Sequence, residues 1–83
     1  MYYVYILKSE KDGRLYIGST ADLKRRIQEH NSGKVVSTKN RMPLKILIYE
    51  AYITKAIGQK REKYLKSSDG HKDIYKRIEH TER

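Results

Sequence analysis

The chain has 83 residues, the length of one small domain, and a formal charge of +9 from 19 Lys and Arg against 10 Asp and Glu, which predicts a polyanionic partner such as nucleic acid. Cysteine is absent, which excludes disulfides and thiol chemistry, and His30, His71 and His80 lack the spacing of a metal-binding pair. No apolar run approaches the roughly 20 residues of a membrane span and no signal peptide is visible, so we expect a cytoplasmic protein with no membrane partner.

The N-terminal segment predicts a β-hairpin. Residues 2–8 are aromatic, β-branched and aliphatic without polar alternation, which is typical of a central strand covered on both faces. An Asp-Gly turn signal at residues 12–13 precedes a second short strand at residues 15–18.

A first helix is expected to follow the hairpin. Ser19 or Thr20 can cap it, with Asp22 placed to complete a capping box. Leu23 and Ile27 are spaced to form its inward stripe.

The middle of the chain alternates between loop, strand and helix. Residues 33–43 are expected to form a mobile basic loop, and residues 44–49 a third strand. A second helix is predicted at residues 55–67. Gly58 in its interior is unfavourable for a helix, which indicates a close contact at that position.

Residues 67–70 are expected to break the chain before a last short helix that frays into a charged tail. We see no repeat or linker, so residues 1–83 are predicted to be a single domain. The predicted class is α+β, with a three-stranded, mainly antiparallel sheet flanked by helices. The inward residues expected in the last two helices are Ile57, Tyr64 and Leu65, then Ile74, Tyr75 and Ile78.

Two pairs of residues stand out as candidates for chemistry. Tyr5 and Tyr16 lie on the two hairpin strands, although tyrosine is also an ordinary strand residue and the chain has eight. Arg26 and His30 are four positions apart and share one face of the first helix, a pattern that solvated helix residues also give. The absence of a Gly-rich nucleotide loop and of an Asp-x-Asp pair argues against an NTPase or a two-metal nuclease.

Glu62 and a group of basic residues are the other candidates. Glu62 borders the predicted buried face of the second helix, where its ordinary role would be an ion pair with Lys66. Solvated charge is common on protein surfaces, but the net charge indicates that at least one basic patch contacts phosphate. The basic residues expected to bind nucleic acid are Lys24, Arg25, Lys34, Lys39 and Arg41.

In chain order, these residues form a series of motifs. Val4-Tyr5-Ile6 is followed by Tyr16-Ile17-Gly18, then by Leu23-x-x-Arg26-x-x-x-His30-Asn31, and then by Arg61-Glu62. The series resembles the GIY-YIG nucleases over nearly the whole chain and is most similar to small standalone members of that family. Tyr3 replaces the glycine of the first motif, and no Asn follows Glu62.

The resemblance implies a metal-dependent endonuclease that hydrolyses phosphodiester bonds in nucleic acid, with DNA favoured, in repair or recombination. It assigns catalytic roles to Tyr5, Tyr16, Arg26, His30 and Glu62. Glu62 would bind Mg²⁺ or Mn²⁺, since magnesium needs few protein ligands. Arg26 would neutralise a phosphate oxygen, while one tyrosine acts as general base and the other positions the reactants with His30.

A tyrosine base requires a lowered pKa, because an unperturbed phenol titrates near 10. A useful ionised fraction at neutral pH demands a pKa lower by roughly two to three, equivalent to about 3 to 4 kcal/mol. We expect Arg26 and the metal to supply the positive charge that lowers the pKa of Tyr5 or Tyr16.

Two alternatives fit the same sequence. A non-catalytic nucleic-acid-binding module would keep the basic face but would not need Tyr5, Tyr16 and Glu62 to converge. An interaction domain, with a partner protein or a second copy, would expose a sizeable apolar patch, which the sequence does not indicate. Because no separate recognition domain is present, nucleic-acid binding is expected to be weak, salt-sensitive and largely non-specific, with a Kd on the order of 10⁻⁴ to 10⁻⁶ M.

Overall fold

The computed structural model describes residues 1–81, with side chains over residues 1–79, so the side chain of His80 lies outside the described part. Three strands and three helices follow in the predicted order, which confirms the α+β class. They are β1 (Tyr2–Ser9), β2 (Leu15–Thr20), α1 (Leu23–Asn31), β3 (Leu44–Tyr52), α2 (Lys55–Leu65) and α3 (Ser68–Thr81). Over the described residues, none of the helices has the length and apolarity that crossing a membrane requires.

β1 is the central strand of the sheet and pairs antiparallel with both neighbours, in the order β2-β1-β3. Tyr5 lies opposite Gly18 on β2 and opposite Tyr49 on β3. An irregularity between Ile6 and Leu7 shifts the register of the β1–β3 pair. The central position predicted from the apolar run of β1 is confirmed.

Helices cover both faces of β1. Even-numbered residues of the strand point toward α2 and α3, and odd-numbered residues point toward α1. Leu23 and Ile27 pack against the second of these faces, so the predicted inward stripe of α1 is confirmed. The buried residues on the α1 side are Tyr5, Leu7 and Leu44. Those on the other side are Val4, Ile6, Ile17, Leu65 and Ile74.

α2 is rotated relative to the prediction. The prediction that Ile57 and Tyr64 face inward is wrong, because these residues are 50% and 40% exposed. The same holds for Tyr75 of α3, which is 57% exposed. Instead Gly58 faces the sheet, and a Cβ at this position would come 2.7 Å from the ring of Tyr2. The predicted close contact at Gly58 is therefore confirmed, and it turns the neighbouring Ile57 outward.

α1 begins later than predicted. Ser19 and Thr20 remain in β2, and the N-cap is Asp22, whose carboxylate accepts a hydrogen bond from the Arg25 amide at 3.1 Å. A carboxylate at this position satisfies an otherwise unpaired helix N–H group. Ser19 therefore belongs to the sheet and projects from it as a strand residue does.

The predicted break at residues 67–70 is also wrong, because α3 begins at Ser68 and extends to Thr81. Gly70 lies in its first turn, where a Cβ would overlap the carbonyl oxygen of Tyr64 at the end of α2. The glycine thus permits a close crossing of the two helices. The Ser67 hydroxyl accepts a hydrogen bond from the Gly70 amide at 3.2 Å and caps the new helix.

The segment between α1 and β3 contains no helix or strand, as predicted, but it packs against the domain. Val35 and Thr38 are buried within it. At its base, the Asn31 side chain exchanges two hydrogen bonds of 2.8 Å with the backbone of Leu44. The segment is therefore anchored at defined points.

Glu50 of β3 joins both C-terminal helices to the sheet. Its carboxylate accepts hydrogen bonds from Arg61 at 2.9 and 3.1 Å, from Arg77 at 2.9 Å and from the Tyr52 hydroxyl at 2.6 Å. Burial opposes ionisation of this group, but the hydrogen bonds prevail and lower the pKa of Glu50 to about 2. Glu50 is thus a charged link in the described structure that the sequence analysis did not identify.

Candidate functional site

The predicted tyrosines meet on the α1 side of the hairpin, with ring centroids 6.3 Å apart. The ring of His30 packs against both, at 5.6 Å from Tyr5 and 4.9 Å from Tyr16. Gly18 lies beneath them, and a Cβ there would come 2.5 Å from the Tyr5 hydroxyl and 3.1 Å from the Tyr16 ring. The glycine of the second motif is therefore required by the position of the two rings.

A buried hydrogen-bonded chain runs from β1 through α1 to the following loop. The Tyr5 hydroxyl lies 2.9 Å from His30 Nε2, and His30 Nδ1 lies 2.8 Å from Thr38 Oγ1. The Arg26 guanidinium lies close enough to the Tyr5 hydroxyl to act on its pKa. A neutral imidazole has one N–H donor and one acceptor nitrogen, so the ring donates one of these two hydrogen bonds and accepts the other.

Burial sets the protonation states of this chain. Burial and the nearby charge of Arg26 lower the pKa of His30 to about 4, so the imidazole is neutral at pH 7. Burial also raises the pKa of Tyr5 to about 12, although the hydrogen bond from Arg26 acts in the opposite direction. Arg26 alone therefore does not lower the pKa of Tyr5 as expected of a base.

Glu62 reaches the same end of β2 from α2. One carboxylate oxygen accepts a hydrogen bond from the Ser19 hydroxyl, and the other accepts from Lys66 Nζ at 2.8 Å. Burial opposes ionisation, but the hydrogen bonds from Lys66 and Ser19 lower the pKa of Glu62. Glu62 is thus an anion at neutral pH, close enough for its charge to act on the Tyr5 hydroxyl.

An open polar hollow of about 440 Å³ lies at the N-terminal end of α1, with Ser19 and Arg26 in its lining. Arg25, Arg26 and Lys55 bring three positive charges to its lining, and Ser19 connects it to Glu62. Glu29 forms an ion pair with Arg26 at 3.2 Å, which orients that guanidinium group, and a looser one with the exposed Arg25 at 3.6 Å. Asp22 and Glu29 in the same lining offset two of these charges, and the remaining positive charge and the hydrogen-bond donors suit a phosphate group.

The donors at the site suit a metal held by one carboxylate. Among the described residues, no three His, Cys, Asp or Glu side chains converge on a common point. Glu62 is ionised and has the Ser19 hydroxyl beside it, while its partner Lys66 is 54% exposed and can extend into solvent. This set fits an ion that keeps most of its water ligands, such as Mg²⁺.

The basic residues expected to bind nucleic acid are distributed over several places. Arg25 lines the polar hollow, and Lys24 lines a separate apolar one. Lys34 and Lys39 are exposed on the loop after α1. Arg41 lies at the turn end of the hairpin.

An apolar hollow of about 670 Å³ separates α1 from β3. Leu23 and Ile27 line it from the helix, and Ile46 and Tyr49 line it from the strand, where they are 40% and 58% exposed. The sequence analysis expected no exposed apolar patch, and that expectation is wrong. β3 is an edge strand that α1 leaves partly uncovered, which its apolar sequence alone does not reveal.

Ser19 and Thr38 belong to the site but were missed as site residues. Alternation along β2 is the signal for Ser19, because it follows Gly18 and so points to the α2 face, where Glu62 lies. No pattern in the sequence marks Thr38, since its contact with His30 depends on how the loop folds back.

Gly18→Ala is expected to destabilise the protein by about 1 to 3 kcal/mol, because the new methyl group displaces the Tyr5 ring. Urea unfolding measures the effect. In a Tyr5→Leu background the colliding ring atoms are absent, so the penalty for Gly18→Ala should shrink. An equal penalty in both backgrounds would show that the Tyr5 ring does not require the glycine.

Comparison with known proteins shows which family has these motifs. A family model described as the GIY-YIG catalytic domain matches residues 1–76. A UPF0213 protein of Streptococcus agalactiae is 42% identical over 65 residues, which cover 77% of this chain and 73% of the relative. A UPF0213 protein of Clostridium perfringens is 45% identical over 67 residues, which cover 80% and 71%.

A solved structure agrees with the fold. The solution NMR structure of a UPF0213 protein from Bacillus halodurans matches with a TM-score of 0.57 and 34% sequence identity, covering 92% of this chain and 84% of that one. The family match spans every motif from Tyr5 to Glu62. The chain therefore belongs to the GIY-YIG family, and its relatives are the small UPF0213 proteins.

Proposed function

We propose that the protein is a metal-dependent endonuclease that hydrolyses phosphodiester bonds in nucleic acid, with DNA as the favoured substrate. The observation that carries the proposal is the cluster of Tyr5, Tyr16 and His30 beside Arg26, with Glu62 bound to Ser19 on the neighbouring part of β2. Membership of the GIY-YIG family supports it. A cytoplasmic role in DNA repair or recombination accords with this activity.

The scissile phosphate is proposed to bind in the polar hollow beside Arg26. This guanidinium donates to Glu29 at 3.2 Å and lies beside the Tyr5 hydroxyl, so it is oriented before the substrate arrives. A fixed guanidinium donates to phosphate oxygens without further ordering, and it stabilises the negative charge of the transition state. Arg25 and Lys55 add positive charge around the same hollow.

Glu62 is the proposed ligand for Mg²⁺ or Mn²⁺. The Ser19 hydroxyl orients its carboxylate, and Lys66 leaves the second oxygen when a cation binds there. Such an ion, when bound, supplies positive charge that stabilises the phosphate and leaving oxygens as charge develops on them.

Tyr16 is the proposed general base, and Tyr5 the positioning residue. The Tyr5 oxygen is enclosed by Arg26 and His30, and its high pKa keeps it protonated. Tyr16 is partly exposed and stacks beside the same His30, and its hydroxyl has no hydrogen-bond partner within the described residues. Tyr16 is therefore accessible to an attacking water, while the buried chain behind it holds its orientation.

Tyr16→Phe is expected to lower kcat by about 10²- to 10⁴-fold, because it removes the proton acceptor. The substrates are supercoiled plasmid, labelled branched and single-stranded DNA, and single-stranded RNA, each with Mg²⁺, Mn²⁺ or EDTA. Tyr49→Phe, which alters an exposed tyrosine outside the site, is the matched control and should cut normally. Both variants are purified identically, so a contaminating nuclease would give equal rates.

The alternative is a basic binding module without catalysis. Binding of the same nucleic acids without cleavage under any metal condition would favour it over the nuclease. Full activity in Tyr16→Phe would show that Tyr16 is not the general base, but it would not contradict the proposed nuclease activity.

A further inference from the structure

A third hollow, of about 400 Å³, lies at the opposite end of β2 from the candidate site. It forms where the hairpin turn, the loop before β3 and α3 meet. Its polar lining comes from Arg14, Arg41, His71 and Tyr75. Of these, only Arg41 was expected to contact nucleic acid, and the proposed reaction uses none of them.

Arg41 is held rigidly at this hollow. Its carbonyl accepts a hydrogen bond from the buried Ser9 hydroxyl at 2.6 Å. Its guanidinium donates to Asp12 at 3.1 Å and to the Leu15 carbonyl at 3.3 Å. Its side chain is only 22% exposed, and its remaining N–H groups are unused within the described residues. Arg41 thus offers a preoriented fork of donors.

The other lining groups are available to a ligand. Within the described part of the chain, the side chain of Arg14 and the hydroxyl of Tyr75 have no hydrogen-bond partner. His71 Nδ1 lies 2.9 Å from the Ser67 carbonyl and donates to it, so Nε2 of the neutral ring is an acceptor that lines the hollow without adding a donor for an anion. Polar groups from three separate segments therefore share one open space.

The charge of this hollow selects an anion. Arg14 and Arg41 bring two positive charges, and Asp12 compensates one of them through its ion pair with Arg41. Hydrogen bonds from the Arg14 amide and from Arg41 outweigh the opposing effect of burial and keep the pKa of Asp12 low. A net positive charge with guanidinium and phenol donors matches a tetrahedral oxyanion.

We propose that this hollow is a phosphate-binding site, and that the phosphate belongs to the backbone of the nucleic acid being cut. The second part rests on the proposed function. From Leu15 to Ser19 the strand rises roughly 13 Å. The two sites are therefore far enough apart to engage different phosphates of one nucleic-acid strand.

The phosphate site is connected to the candidate active site through the loop. The Arg41 amide donates to the Thr38 carbonyl at 2.9 Å, and the Thr38 side chain contacts His30. A phosphate bound at Arg41 would therefore stabilise the loop conformation that orients His30.

An NMR titration with inorganic phosphate tests this site independently of any nuclease activity. In an NMR titration at constant ionic strength, the backbone amides of Gly13, Arg14 and His71 should shift in the unchanged protein. In Arg14→Ala these shifts should be lost, and in Tyr75→Phe they should be weakened. Both substitutions alter exposed side chains, so the fold should be retained.

Binding of a labelled DNA oligonucleotide in EDTA, as single strand and as duplex, tests the source of the phosphate. Arg14→Ala should raise the Kd of the tighter complex about fivefold to tenfold. It should also reduce the slope of log Kd against log salt concentration by about one. Lys60→Ala removes the same charge from the exposed face of α2 and is the matched control.

The two measurements separate the possible outcomes. Phosphate-induced shifts without a DNA effect specific to Arg14→Ala, or without any DNA binding, would overturn the nucleic-acid assignment and leave a site for free phosphate. No shifts, together with equal DNA weakening in Arg14→Ala and Lys60→Ala, would overturn the site itself. Absence of cleavage with both binding results intact would overturn only the nuclease.

Discussion

Glu62→Gln is expected to lower metal-dependent cleavage by about 10²- to 10³-fold and to leave the fold intact. The amide keeps an oxygen that can accept from the Ser19 hydroxyl, but it lacks the negative charge that attracts a divalent cation. The lost ion pair with Lys66 is largely exposed, so its effect on stability should be small.

The matched control is Glu10→Gln, which removes the same charge from an exposed side chain in the hairpin turn. Plasmid nicking with Mg²⁺ and Mn²⁺ measures activity, and paramagnetic broadening of the NMR signals around Ser19 by Mn²⁺ measures binding separately. Cleavage and broadening in Glu62→Gln at the level of the control would refute Glu62 as the metal ligand.

Glu50→Gln is expected to destabilise the protein by about 3 kcal/mol at neutral pH. The difference between a pKa of about 2 and the ordinary 4.5 corresponds to this amount of folding free energy. The Glu50 side chain is only 16% exposed, so solvent screens its bonds to Arg61 and Arg77 little. For a domain of this size, the loss is a large fraction of the total stability.

The pH dependence of this effect has a definite sign. The folded state lowers the pKa of Glu50, so its contribution is complete above about pH 4.5 and is lost as the pH falls toward 2. Urea unfolding of the unchanged protein and of Glu50→Gln should therefore differ most at pH 7 and converge near pH 2. A difference that is independent of pH would mean that shape, and not charge, makes Glu50 important.

Local signals were sufficient for most of the fold. The apolar run of β1, the Asp-Gly turn and the helical spacing of Leu23 and Ile27 each predicted what the structure contains. The errors arose where tertiary contact decides the outcome. Gly70 looks like a chain break, but it lies inside α3 because two helices cross there.

The candidate site was predictable in its parts but not in its electrostatics. Ordered motifs bring Tyr5, Tyr16 and His30 together as expected. The sequence could not show that burial would outweigh the effect of Arg26 on the pKa of Tyr5, because burial depends on the packing of α1 against the sheet. Thr38 was missed for the same reason, since a loop position has no periodicity to interpret.

The residues of the core and of the candidate site are divided between two consecutive parts of the chain. All three strands and α1 precede Thr54, whereas Glu62 and the helices that cover Val4 and Ile6 follow it. Ile53, at this junction, is 82% exposed. Cutting the gene there would give two fragments, each lacking part of the core and part of the reactive centre. Fused to interacting partners, such fragments would complete the candidate site only when the partners associate.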